Sequence, residues 1–113
     1  MEQPAKTFRE SRLNLLQFYS SPEDQVEWQE RMPTLGIDEP LEWWLEDFFP
    51  ESKLFKAAFS HKEIETLEQF HAILSDASLN WPRPPYPRVE AALKDPAWMK
   101  VVETARKVLE AVK

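Results

Sequence analysis

The sequence predicts an all-α fold, an irregular bundle of five or six mostly short helices with a proline-rich connector before the C-terminal ones. Three observations lead there. Apolar residues recur at i, i+3, i+4 and i+7 in five segments, the spacing that lays a stripe along one helix face. Alternating runs of β-branched residues, which would mark strands, do not occur. Helix-start signals, in which Ser or Asp precedes proline or an acid, punctuate the chain.

The first helix is expected from about Thr7 to Tyr19, with Phe8, Leu15, Leu16 and Tyr19 on one face and Leu13 and Phe18 widening it. Ser21-Pro22-Glu23-Asp24 then opens a second helix. Ser21 serves as cap, Pro22 fits the first helical position, and two acids suit the positive end of the dipole. It ends near Met32, before Pro33 and Gly36. A third helix begins at Pro40 and runs to Phe49, placing Leu41, Trp44, Leu45, Phe48 and Phe49 on a buried stripe. Pro50 stops it. A short fourth helix follows Ser52, with Leu54, Phe55, Ala58 and Phe59 inward.

Ser60-His61-Lys62-Glu63 reads as a capping box, in which hydroxyl and carboxylate each satisfy the other residue's backbone N–H. The fifth helix continues to about Ala77, with Ile64, Leu67, Phe70, Leu74 and Ala77 inward. Residues 81 to 87 carry Pro82, Pro84, Pro85 and Pro87, which stop a helix and favour polyproline II. This segment reads as a strap packed by Trp81 and Tyr86, with a polyproline ligand for an SH3-like groove as the less specific reading. A helical turn or two follows between Pro87 and Lys94. Asp95-Pro96 starts the last helix, whose stripe is Trp98, Val101, Val102, Ala105, Val108, Leu109 and Val112. Glu103 with Lys107 and Arg106 with Glu110 stand at i, i+4 on its outer face.

The 113 residues suit one domain, 1–113, since domains commonly run to about 100–150 residues. With no cysteine, the chain has no disulfide framework, thiolate metal site or thiol nucleophile. Its one glycine, Gly36, is too few for a P-loop, a dinucleotide fingerprint or a nucleophile elbow. No cofactor or metal is expected. His61 and His71 are the only histidines, and His61 with Glu65 at i, i+4 is half a metal site. His61 reads as an exposed helix start and His71 as a hydrogen-bonded structural residue at the edge of an apolar face. No signal peptide or membrane span is read from the sequence, so the expected location is cytoplasmic and no membrane partner is expected.

Charge carries the functional reading. Twenty acids stand against fourteen bases, for a net charge of −6. The imbalance sits in the first half. Between Ser21 and Glu51 ten acids face a single base, Arg31. A local charge of −9 in 31 residues repels itself and costs stability. Direct nucleic-acid binding, which needs clustered Lys and Arg, is disfavoured. An acidic surface suits a basic protein partner instead. On the third helix Trp43 lies about 160–200° from the centre of the apolar stripe and is expected to point outward.

The candidate partner-binding residues are therefore Trp43, Glu39, Glu42, Glu46, Asp47, Glu27 and Trp28, with Trp43 or Trp28 as anchor inside a charged rim. The alternative for Trp43 is burial by the second helix or the proline segment. The expected function is a small acidic protein–protein interaction protein, not an enzyme. It would be an inhibitor or immunity-type protein covering a basic surface, such as that of a nuclease toxin or a nucleic-acid-binding protein. In physique it is similar to small acidic helical chains that neutralise basic nuclease toxins. A non-catalytic accessory or scaffold domain with a solvated acidic face is the alternative, and a carboxylate-based hydrolase the third.

Overall fold

The computed structural model describes residues 3–113, so Met1 and Glu2 of the polar N-terminus lie outside it. Seven helices make up 73% of the structure, with no strand among the described residues. In chain order they are α1 Gln3–Ser20, α2 Pro22–Arg31, α3 Asp38–Leu45, α4 Lys53–Ala58, α5 His61–Ser78, α6 Val89–Ala92 and α7 Pro96–Val112. The all-α expectation holds.

The centre of the packing is α7, which lies against both α5 and α1. Its Trp98, Val101, Val102 and Ala105 are fully buried, so its apolar stripe is a true core face. Phe70 and Leu74 meet it from α5, and Leu16 and Tyr19 from α1. The smaller helices are arranged around this trio. α4 packs on α1, α2 folds back on α1, α6 rests on α2, and α3 bridges α1 and α5.

The starts follow local chemistry. Ser21, Ser52 and Ser60 each accept from the backbone N–H three residues on, and Asp95 accepts from that of Ala97. The capping box is complete, because the Ser60 N–H also reaches Glu63 Oε1 at 2.8 Å. α1 begins a turn earlier than expected, since Ala5 is itself buried in the core. Arg106 donates to the Ser20 carbonyl at 3.1 Å, tying α7 to the end of α1.

Two expectations about the third and fourth helices need correction. α3 stops at Leu45, not Phe49. Arg12 Nη1 takes the Trp44 carbonyl at 2.8 Å, the acceptor that a continuing helix would offer to Phe48 N–H. With the helix ended, Phe49 is 62% exposed instead of inward. Leu54 is also exposed, because Phe55, Ala58 and Phe59 take the buried face of the short α4.

Polar groups inside the bundle are paired. Tyr19 Oη donates to the Pro40 carbonyl at 2.5 Å, and Trp98 Nε1 to Gln25 Oε1 at 2.9 Å. Gln29 donates to the carbonyls of Met32 and Leu35, both at 2.8 Å, and accepts from Val89 N–H. That single side chain fastens the loop after α2 to α6. Arg88 reaches the Pro33 carbonyl and adds a second tie. Among the described residues no buried side-chain nitrogen or oxygen lacks a hydrogen-bond partner, as a well-formed interior requires.

Candidate functional site

α3 presents three faces, set by its helical spacing. Pro40 and Trp44 point into the core. Glu39, Trp43 and Glu46 fall on the side toward α2. Asp38, Leu41, Glu42 and Leu45, at i, i+3, i+4 and i+7, line a groove on the other side. Ordering this acid-rich helix falls to contacts from elsewhere in the chain. Arg12, only 2% exposed, caps its C-terminal end and spreads over the Trp44 and Phe8 rings at 5.0 and 5.4 Å. Tyr19 holds its first turn through the Pro40 carbonyl. Trp44 Nε1 donates to His71 Nδ1 at 3.2 Å, and the His71 ring stacks on Phe48 with centroids 4.1 Å apart.

Trp43 is half-buried, not outward-facing. Its ring meets Phe18 at 5.3 Å and stands edge-on to Trp28 at 5.4 Å. Trp28 is 8% exposed and packs on Phe18 as well. Three aromatic side chains from α1, α2 and α3 thus form one cluster, which is why Trp43 turns inward. The angle on α3 was legible. The rings that cover it come from two other helices. Glu27 is exposed beside Trp28 on α2, and Glu42, Glu46 and Asp47 are exposed on or just after α3, while Glu39 is half-buried. The structure therefore joins Trp43 and Trp28 in one aromatic cluster, but sets Glu42 on the groove side of α3 and Asp47 beside Arg12 after it, so the seven expected residues do not share one face.

Of the ten acids between Ser21 and Glu51, eight are exposed and Asp38 and Glu39 are half-buried. Two of the ten have a cation within 4 Å among the described residues. Asp47 stands 3.8 Å from Arg12, and Glu51 stands 3.5 Å from Lys56.

Glu63, by contrast, is paired across the bundle. Arg9 makes a two-pronged pair with Glu63, at 3.0 and 2.8 Å, and also donates to the Ala58 and Val112 carbonyls. The Arg9 bond, opposed by partial burial and helped by the Ser60 N–H, holds the Glu63 carboxyl down at about 2. Glu63 is thus committed to structure. His61 is exposed and pairs with Glu65 at 2.9 Å, as their spacing implied. Among the described residues no three His, Asp or Glu side chains gather where a metal ion would sit, and no helix is long and apolar enough to cross a membrane.

Sequence reasoning missed Arg12 as the residue that orders α3. A signal was present: with Phe8 and Leu16 it stands at i, i+4 and i+8, a charge in the middle of an apolar stripe. It also missed the groove beside α3, whose far wall comes from residues about 40 positions away. No protein-family model matches the chain, and neither a curated protein nor a solved structure matches it.

Proposed function

We propose that the protein is a small acidic interaction protein that covers a basic surface of a partner protein, in the manner of an inhibitor or immunity protein acting on a nuclease toxin or another nucleic-acid-binding protein. One observation carries this reading. Eight exposed carboxylates crowd α2, α3 and the turn after it, and among the described residues only two of the ten acids in that stretch meet a cation. Elsewhere the chain pairs its acids where packing demands it, as at Glu63. Unpaired like charges on an ordered surface cost folding stability, and a cationic partner offsets that cost on binding.

The mechanism is steric occlusion. Charge steers the encounter and fixes orientation, because exposed carboxylates accelerate association with a basic surface more than they add to affinity. Trp28 and Trp43 act from within. Their cluster with Phe18 holds α2 and α3 in fixed register, so that Glu27 and Glu42 stand on helices, with Glu46 at the C-cap of α3.

The test is affinity capture from a native lysate with the wild-type chain and with a Glu42→Lys, Glu46→Lys double variant, each at low and at about 0.5 M salt. At the higher salt, charges more than about 5 Å apart are largely screened. Capture of a basic protein by the wild type, abolished by salt and by the double variant, is the expected outcome. Equal capture by the variant would refute the proposal.

A further inference from the structure

Beside α3 runs a groove of about 270 Å³. One wall is Leu41 and Leu45, with Asp38 and Glu42 along its edge. The other is Leu79, Trp81 and Tyr86, where the chain leaves α5 and enters the proline segment. We infer that this groove is the docking site for an apolar side chain carried on a lysine- or arginine-rich segment of the partner protein. The inference rests on the acidic-surface reading and adds to it the place where specificity is read.

Leu79 is the first indication. It is 75% exposed, the most exposed of the large apolar residues among those described, and it occupies the C-cap of α5. Trp81 is half-buried, with its ring 6.3 Å from that of core Trp98, so one part is anchored and another lines the groove. Leu45 is likewise half-buried. The volume is below the roughly 300–1,000 Å³ typical of small-molecule sites, and suits one or two side chains.

Charge selects the occupant. Asp38 and Glu42 rim the groove, and among the described residues no Lys, Arg or His lines it. The C-terminal end of the 18-residue α5 points negative charge at the same place and has no basic residue in its last turn. Arg88, close in sequence to Tyr86, is turned instead to the Pro33 carbonyl and Glu90. A second copy of the chain, carrying −6 itself, is repelled from such a rim. A basic segment with an apolar residue at its centre matches both the walls and the rim.

The probe is a short synthetic peptide with one leucine between pairs of lysines, titrated into the labelled full-length chain and followed by nuclear magnetic resonance. Two control peptides replace the leucine by serine or the lysines by glutamates. The expected result is that the lysine–leucine peptide shifts the Trp81 indole N–H and the Leu79 methyl signals. Loss of the leucine, or Leu79→Ser in the protein, weakens binding about tenfold, the factor for one apolar side chain left unburied. Glu42→Gln is expected to weaken binding and flatten its salt dependence. Leu79 and Glu42 are both exposed, so these variants leave the core intact.

If the serine peptide binds as tightly, or the shifts fall only on the Glu23–Glu30 face, the groove inference is overturned while the acidic-surface reading stands. If no lysine peptide binds and the lysate capture also fails, both are overturned. Self-association of the free chain that Leu79→Ser abolishes would assign the groove to a second copy and overturn the inference.

Discussion

Arg12 is a charge placed in the interior without a buried counter-charge. Burial lowers its guanidinium from the ordinary value, and Asp47 and Tyr19 act against that shift. Asp47 is 74% exposed and 3.8 Å away, so its help is screened by water. What holds Arg12 is the Trp44 carbonyl and two aromatic faces. Two variants should therefore differ. Arg12→Met keeps most of the packing but leaves that carbonyl without its donor, a loss of about 1–3 kcal/mol in urea unfolding. Asp47→Asn should cost no more than about 0.5 kcal/mol, as for other exposed pairs. Equal losses would mean that the ion pair, not the cap, secures the end of α3.

Acid unfolding at this scale has two separable limbs. The His71 imidazole lies below its ordinary value of 6.5, mainly through burial, with Glu68 opposing and Arg12 adding to the shift. Its neutral ring accepts from Trp44 and stacks on Phe48, and Ser75 Oγ lies 3.5 Å from its other nitrogen. A depressed histidine contributes stability that is full above 6.5 and lost as pH falls toward its folded value. Glu63 acts lower, with stability full above 4.5 and lost as pH falls to about 2. His71→Gln should remove the first limb of a stability–pH curve and Glu63→Gln the second. If neither limb moves, other groups drive acid unfolding.

At the scale of the element, what could be read from the sequence depended on how far away the decisive partner lies. The starts of α2, α5 and α7 were legible because Ser21, Ser60 and Asp95 act within three residues. The end of α3 was not, because the residue that stops it is 32 positions upstream. Of the candidate residues, Glu27, Trp28, Glu42 and Trp43 fall on the helices expected for them, whereas Glu39 proves to lie inside α3 and Glu46 and Asp47 beyond its end. For Trp43 the alternative holds, burial by the second helix, since Trp28 from α2 and Phe18 from α1 cover it. Its role changes with its burial. Trp43→Ala opens a gap among three aromatic rings and should cost about 2–4 kcal/mol, somewhat below the 3–5 of a fully buried tryptophan. Amide exchange should then quicken in α3 before α5 or α7, because α3 is held by few neighbours. A loss below about 0.5 kcal/mol would return Trp43 to the surface and restore it as a partner anchor.

For the whole molecule, the division of charge makes a demand on the fold that stability measurements can read without a partner. Among the described residues the buried polar side chains are satisfied, and Trp28, Ile37, Leu41 and Trp44 of the acidic stretch fill the core, so its exposed carboxylates are not needed to complete it. Glu42 and Glu46 are exposed and have no ion-pair partner among the described residues. Replacing both by lysine takes the net charge from −6 to −2, a gain of two units per substitution. If these acids only repel one another, the double variant should be as stable as the wild type or more stable by up to about 1 kcal/mol, twice the usual range for a surface change. Added salt should stabilise the wild type, since it screens repulsion between charges more than about 8 Å apart at physiological strength, and should do less for the variant. A protein that gains stability on losing residues it needs for capture shows the trade expected of a functional surface. If instead the double lysine variant loses more than about 1 kcal/mol, Glu42 and Glu46 support the fold. Their unpaired charge would then no longer argue for a partner, and the basic-segment site beside α3 would lose half of its rim.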